Sequence, residues 1–148
     1  MGALTQALAG NKVYLDINIF IYALEGVEPW ATPIGQAFAG MEAGEWHAVT
    51  SELSLAEGLV RPYQRGREDL VQLYKTALSP RGYFSRAPVD AATLISAARL
   101  RALHDFKLPD AIHAATALAQ GCTAILTNDA GFRRMPGIQC LLLSDLAP

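Results

Sequence analysis

Short apolar, β-prone runs alternate along the chain with longer segments of helical period. Val13-Tyr14-Leu15 predicts a first strand. Ile19 to Leu24 predicts a helix ending before Gly26, and Pro33 to Met41 a second, stopped near Gly44. Trp46 to Thr50 predicts another strand. Ser51 or Ser54 then caps a helix that carries Leu53, Ala56, Leu59 and Val60 and stops at Pro62. A basic helix follows from about Arg67 to Leu78, then a third strand from Tyr83 to Val89. Asp90 caps a long helix whose Ala91, Leu94, Ile95, Ala98 and Ala102 share a face. Leu108-Pro109-Asp110 opens another helix, which ends at Gly121. Thr123–Leu126 and Ile138–Leu143 predict the last two strands.

This alternation implies a mainly parallel sheet covered by helices on both faces, a three-layer α/β/α sandwich. The uninterrupted apolar run at Ala124-Ile125-Leu126 agrees, because parallel strands are buried on both faces. No repeat, linker or low-complexity tract divides the 148 residues, so one domain is expected over 1–148. Residues 1–11, ahead of the first strand, are expected to form a flexible extension.

Composition narrows the class. Hydrophobic residues make up 51% and charged residues 18%, which excludes a disordered chain. The uncharged stretch from Ala111 to Asn128 is broken by His113, Gln120 and Gly121 and suits a helix plus a strand rather than a membrane span. The first residues carry no basic and apolar leader pattern. Cys122 and Cys140 sit in apolar runs without C-x-x-C spacing and read as buried free thiols, which favours a cytoplasmic location.

The net charge of −2 hides an asymmetry. Residues 1–60 carry one basic and seven acidic residues, whereas residues 61–109 carry nine basic and four acidic. The middle segment could face a polyanion while acids elsewhere face a cation.

Four acids fall at one kind of junction. Asp16 ends the first strand, Glu57 lies early in the helix after the second, and Asp129 follows the fourth. Asp110 opens the helix that precedes the fourth strand. In a parallel sheet the strand C-termini share one edge, where ligands bind. Each acid also has a structural explanation. Asp16 or Asn18 can cap a helix, Ser54-x-x-Glu57 matches a capping box, Asp110 meets a helix dipole and Asp129 is a turn residue. Glu57 nevertheless shares a helix face with Leu53 and Val60, where an unpaired carboxylate is costly. Clustered acids would also repel, raising at least one pKa. A divalent cation resolves both problems, and an all-oxygen set points to Mg²⁺ or Mn²⁺ rather than zinc.

These segments resemble the PIN-domain family, in its branch of small VapC-type toxin ribonucleases. The pieces are VYLDINIFIY at 13–22, TSELSLAE at 50–57, LPDAIHAATA at 108–117 and ILTNDAGF at 125–132, in that order. The resemblance implies cleavage of RNA with Mg²⁺ or Mn²⁺. Asp16, Glu57 and Asp110 match the family's metal-binding and catalytic acids, and Asp129 matches a more variable fourth. Asn18 and Thr127 match polar positions beside the metal or its water. It further implies a cognate antitoxin protein and a homodimer.

The chemistry fits: a carboxylate-held cation activates water and stabilises a phosphodiester transition state. Arg61, Arg65, Arg67, Lys75, Arg81 and Arg86 are candidates for phosphate contact. His47, His104 and His113 form no metal motif, and His113, three residues after Asp110, reads as a packing or surface residue. Two other functions stay open. One is a Mg²⁺-dependent phosphatase with Asp16 as nucleophile, although Asn18 stands where such enzymes usually place a second aspartate. The other is a non-catalytic RNA-binding protein on the same fold.

Overall fold

The computed structural model describes residues 2–147. Among them, five parallel strands form the central sheet: β1 (Lys12–Leu15), β2 (His47–Ser51), β3 (Phe84–Ala87), β4 (Ala124–Thr127) and β5 (Gln139–Leu142). Their spatial order is β3-β2-β1-β4-β5. Tyr14 pairs with Val49 on one side and Ile125 on the other, so β1 is the central strand. The order runs outward from β1 in one direction and then restarts at β4 in the other. The crevice between β1 and β4 is therefore the topological switch point, the place where open α/β sheets bind ligands.

Among the described residues, eight helices flank the sheet: α1 (Ala3–Leu8), α2 (Ile17–Leu24), α3 (Ala31–Glu42), α4 (Glu52–Gln64), α5 (Glu68–Ala77), α6 (Ala91–Leu103), α7 (Leu108–Ala119) and α8 (Leu143–Leu146). A 3₁₀ turn spans Ala130–Arg134. Period-two alternation divides the strands between two cores. Val13, Leu15 and Leu126 join the cluster with Ile19, Phe20, Ile34 and Leu143, whereas Tyr14, Val49 and Ile125 join Ala111, Ala114 and Phe132 on the other face. The three-layer α/β/α sandwich is the architecture the alternation predicts, with a sheet that is parallel throughout.

Several boundaries differ from expectation. Residues 3–8 are not a flexible extension but a helix packed against α3 and α8, with Leu4 and Leu8 buried in the core. Six residues cannot hold a helix alone in water, so tertiary burial of these leucines supplies its stability. Met1, also within the expected extension, lies outside the described residues. Pro62 does not stop α4, which runs two residues further to Gln64. Near a C-terminus the missing N–H removes a single helical bond, and the chain tolerates it. Both cysteines are free, and burial pushes the Cys122 thiol up to about 11. Among the described residues no helix is long and apolar enough to cross a membrane.

Candidate active site

The first carboxylate is set by the end of β1. Asp16 is the N-cap of α2, and its Oδ1 accepts the Asn18 amide at 3.0 Å. Its Oδ2 accepts the Thr127 hydroxyl at 2.8 Å, a bond that crosses from β1 to β4 at the switch point. Thr127 is fully buried, and its Oγ1 also accepts the Asp129 amide at 3.0 Å. One hydroxyl thus joins the two acids that follow the two central strands. Asp129 in turn caps the 3₁₀ turn, accepting the Gly131 amide at 2.8 Å. Of the two cap candidates Asp16 rather than Asn18 caps α2, and Asp129, expected as a turn residue, caps the 3₁₀ turn; these bonds orient each carboxylate at the rim rather than remove it from there. Asn18 lies exposed in the first turn of α2.

Glu57 behaves differently from its capping-box reading. The cap of α4 is Ser51, which accepts the Leu53 amide at 3.0 Å, while Ser54 is buried against Thr50 at 2.8 Å. This leaves Glu57 free of the helix end, and its Oε1 accepts from His113 Nε2 at 2.7 Å. The other ring nitrogen of His113 is bonded to the Tyr14 hydroxyl. Tyr14 is fully buried, and desolvation drives its phenol far above its ordinary pKa, so it stays protonated. His113 is also buried. The packing role expected for it is therefore incomplete, because the ring links β1 through α7 to Glu57 on α4. Two sequence signals could have found this pair. His113 lies one helical turn after Asp110, and Tyr14 points to the opposite sheet face from its neighbours Val13 and Leu15.

Gly58, beside Glu57, permits the approach of α4 to the sheet's helical cover. A Cβ there would stand 3.1 Å from Ile17 Cδ1 and 3.2 Å from Tyr74 Cδ1, tighter than ordinary packing.

Asp110 occupies the first turn of α7, half-buried. Its pKa is raised, first by burial and then by the negative charge of Asp129, with Asp16 and Glu57 adding to it and His113 opposing. The four acids are thus electrostatically one group. Among the described residues none of them is ion-paired to a lysine or arginine; Glu57 has only His113.

Residues 13–138 match the PIN domain family. The chain belongs to the PIN domain family. Solved PIN-fold relatives superpose over most of its length. A Klebsiella pneumoniae toxin–antitoxin complex is 23% identical with a TM-score of 0.67, covering 88% of this chain and 97% of the other. VapBC2 from Rickettsia felis, bound to a DNA fragment from its promoter, is 17% identical with a TM-score of 0.67, covering 88% and 98%. VapC20 from Mycobacterium tuberculosis, a sarcin–ricin loop cleaving toxin, is 15% identical with a TM-score of 0.69, covering 86% and 97%. Comparison with curated protein sequences found no match.

The donor chemistry of this PIN domain suits a hard cation: four carboxylates and a threonine hydroxyl, all oxygen, with no cationic side chain among the described residues paired to Asp16, Asp110 or Asp129. Among the described residues, however, no three His, Cys, Asp or Glu side chains already stand together as a metal cage. Asp16 is buried and held on both oxygens, whereas Glu57 and Asp110 are half-exposed and Asp129 is exposed. Closing a cage therefore means bringing the three looser acids toward the fixed one.

Proposed function

We propose that this chain is a divalent-metal-dependent endoribonuclease that hydrolyses RNA phosphodiester bonds. The observation that carries the reading is Asp110, its pKa raised by burial and by the negative charges of Asp129, Asp16 and Glu57 at the carboxyl edge of the sheet, with no lysine or arginine ion-paired to any of the four among the described residues. Asp16, Glu57, Asp110 and Asp129 would hold Mg²⁺ or Mn²⁺, with Asn18 and Thr127 beside them. Bound there, the cation would supply Lewis-acid stabilisation of the phosphate and lower the pKa of an attacking water.

The chain's own groups do the rest. Asp16, fixed by Thr127 and the Asn18 amide, provides the rigid corner of the site. His113 holds one oxygen of Glu57 and leaves the other available. An ionised Asp110 or Asp129 at the open rim orients water and accepts its proton. Both Asp16 oxygens are already engaged, which suits a held ligand better than the nucleophile of a phosphatase.

The same reading makes the protein the toxin of a toxin–antitoxin pair in the cytoplasm, with a cognate antitoxin protein and a homodimeric state. The toxin and antitoxin parts of the reading are supported by the family match and by structural relatives that include a toxin–antitoxin complex and a sarcin–ricin loop cleaving toxin. The test is incubation of the purified, partner-free chain with a mixed RNA pool, in Mn²⁺ or in EDTA, beside Asp110→Asn. Cleavage in Mn²⁺ that EDTA and the substitution both abolish is expected. Equal cleavage by the substituted chain would reject the assignment, and an RNA pool left intact in Mn²⁺ would return the choice to a non-catalytic RNA binder.

A further inference from the structure

We propose that the cavity between the start of α7 and the 3₁₀ turn after β4 is a phosphate subsite, in which Lys107, Arg101 and Arg134 hold a backbone phosphate of the RNA next to the one being cut. This rests on the ribonuclease reading and adds where the strand is gripped.

The basic segment singled out by sequence is mostly engaged elsewhere. Arg67 lies 2.7 Å from Asp69, Arg81 3.1 Å from Glu42 and Arg65 3.8 Å from Glu25. Arg86 donates to the Leu78 carbonyl at 3.0 Å. Topology separates much of it from the acids as well. Arg81 precedes β3, so it lies at the amino edge of the parallel sheet, opposite the rim of carboxyl ends. Lys75, in the last turn of α5, leads toward that same edge.

A different set of cations adjoins the acids. A cavity of about 560 Å³ is lined by Asp105, Asp110 and Asp129 together with Arg101, Lys107 and Arg134. The size lies within the range of ligand pockets, roughly 300–1,000 Å³. All three cations are exposed, and among the described residues none has an ion-pair partner. Arg101 and Arg134 each donate one Nη1 to the loop before α7, to the Phe106 carbonyl at 2.6 Å and the Asp105 carbonyl at 2.9 Å. A guanidinium has five N–H donors, so each remains largely free while its position is set by the loop.

Gly131 keeps the ground between acid and cation open. A Cβ there would stand 3.0 Å from Asp129 Oδ1 and 3.6 Å from Arg134 Nη1. The aromatic rings in the lining cannot read bases, since Phe106 and Phe132 are both buried, packed together with centroids 6.2 Å apart. With no exposed ring on which a base could stack, the three cations suit the phosphate backbone. A phosphate contact carries no sequence information of its own, and the cavity adjoins Asp110 and Asp129.

The experiment measures RNA affinity against NaCl concentration for the full chain carrying Asp16→Asn, a cleavage-silent background whose cap is kept because asparagine caps as well as aspartate. On it are placed Lys107→Gln with Arg134→Gln, or Lys75→Gln with Arg81→Gln. The first pair should weaken binding about tenfold at low salt, equally for unrelated single-stranded sequences. It should also flatten the log–log salt slope by about 0.7 for each phosphate no longer neutralised. The second pair should leave both unchanged. Lys107→Arg with Arg134→Lys should restore affinity. Lys107→Glu alone, at an exposed side chain, repeats the test should the Arg134 change unfold the loop. Unchanged affinity and slope in the Lys107 variants, or an equal loss in the Lys75 pair, overturns the subsite while wild-type cleavage of RNA still upholds the nuclease. A wild-type chain that neither binds nor cuts RNA overturns both.

Discussion

His113 on α7 and Glu57 on α4 are joined by a 2.7 Å hydrogen bond from Nε2 to Oε1, across 56 residues of chain. A carboxylate can only accept, so Nε2 carries a proton, and the other ring nitrogen, Nδ1, shares a hydrogen bond with the Tyr14 hydroxyl. The chain of bonds through Tyr14, His113 and Glu57 fixes one of the four acids through groups that are themselves buried. Replacing His113 by Ala should remove about 1–3 kcal/mol of stability, because it takes a hydrogen-bond partner from the buried Tyr14 hydroxyl and frees Glu57. Urea unfolding measures this. A variant within about 0.5 kcal/mol of the parent would show that the chain of bonds contributes nothing.

Asp110 carries an unfavourable charge in the metal-free fold. Its folded pKa is raised above the unfolded value, first by burial and then by Asp129. The sign follows from linkage: a carboxylate with a raised folded pKa destabilises the fold once ionised. The penalty grows as pH climbs from the unfolded to the folded pKa and persists above it. In EDTA at neutral pH, Asp110→Asn should therefore melt higher than the parent, and the gap should close as pH falls below the unfolded pKa. The same substitution should lower RNA cleavage in Mn²⁺ by about 10²-fold or more. A lower melting temperature for Asp110→Asn at neutral pH would contradict the repulsion argument.

Mn²⁺ should stabilise the wild-type chain through mass action, by about 2.7 kcal/mol at a concentration roughly 100-fold above its Kd. The gain should disappear on adding EDTA and in the double variant Asp16→Asn, Asp129→Asn. Thermal melts across a Mn²⁺ titration decide it: equal shifts in the wild type and the double variant would place the cation elsewhere.

The first helix should matter to the whole fold. Leu8 is fully buried in the core that α3 and α8 share, so Leu8→Ala should cost about 2–5 kcal/mol. A flexible extension would show almost no change. Chemical denaturation separates the two outcomes.

The local pattern determined a good deal. Short runs with apolar residues placed all five strands to within a few residues, most tightly β1 and β4, because a strand buried on both faces needs continuous apolar side chains. The acids could be placed at strand ends and helix starts for the same reason: a parallel sheet opens all its carboxyl ends at one edge. Capping chemistry at Ser51, Asp16 and Asp90 was likewise legible, since it acts within three residues.

Only the tertiary structure decided which distant residues meet. Strand order put β1 beside β4, and that adjacency, not any local propensity, brought Thr127 onto Asp16. Glu57 found His113 rather than its own helix cap because α4 and α7 flank the same site, and a half-buried carboxylate takes the partner that satisfies it. The short first helix exists through the core it covers. Cations close in sequence to one another were drawn into separate ion pairs, while Arg101, Lys107 and Arg134, spread over two elements and a loop, line one cavity. Such long-range pairings depend on where the chain returns to itself, and sequence periodicity carries no record of that distance.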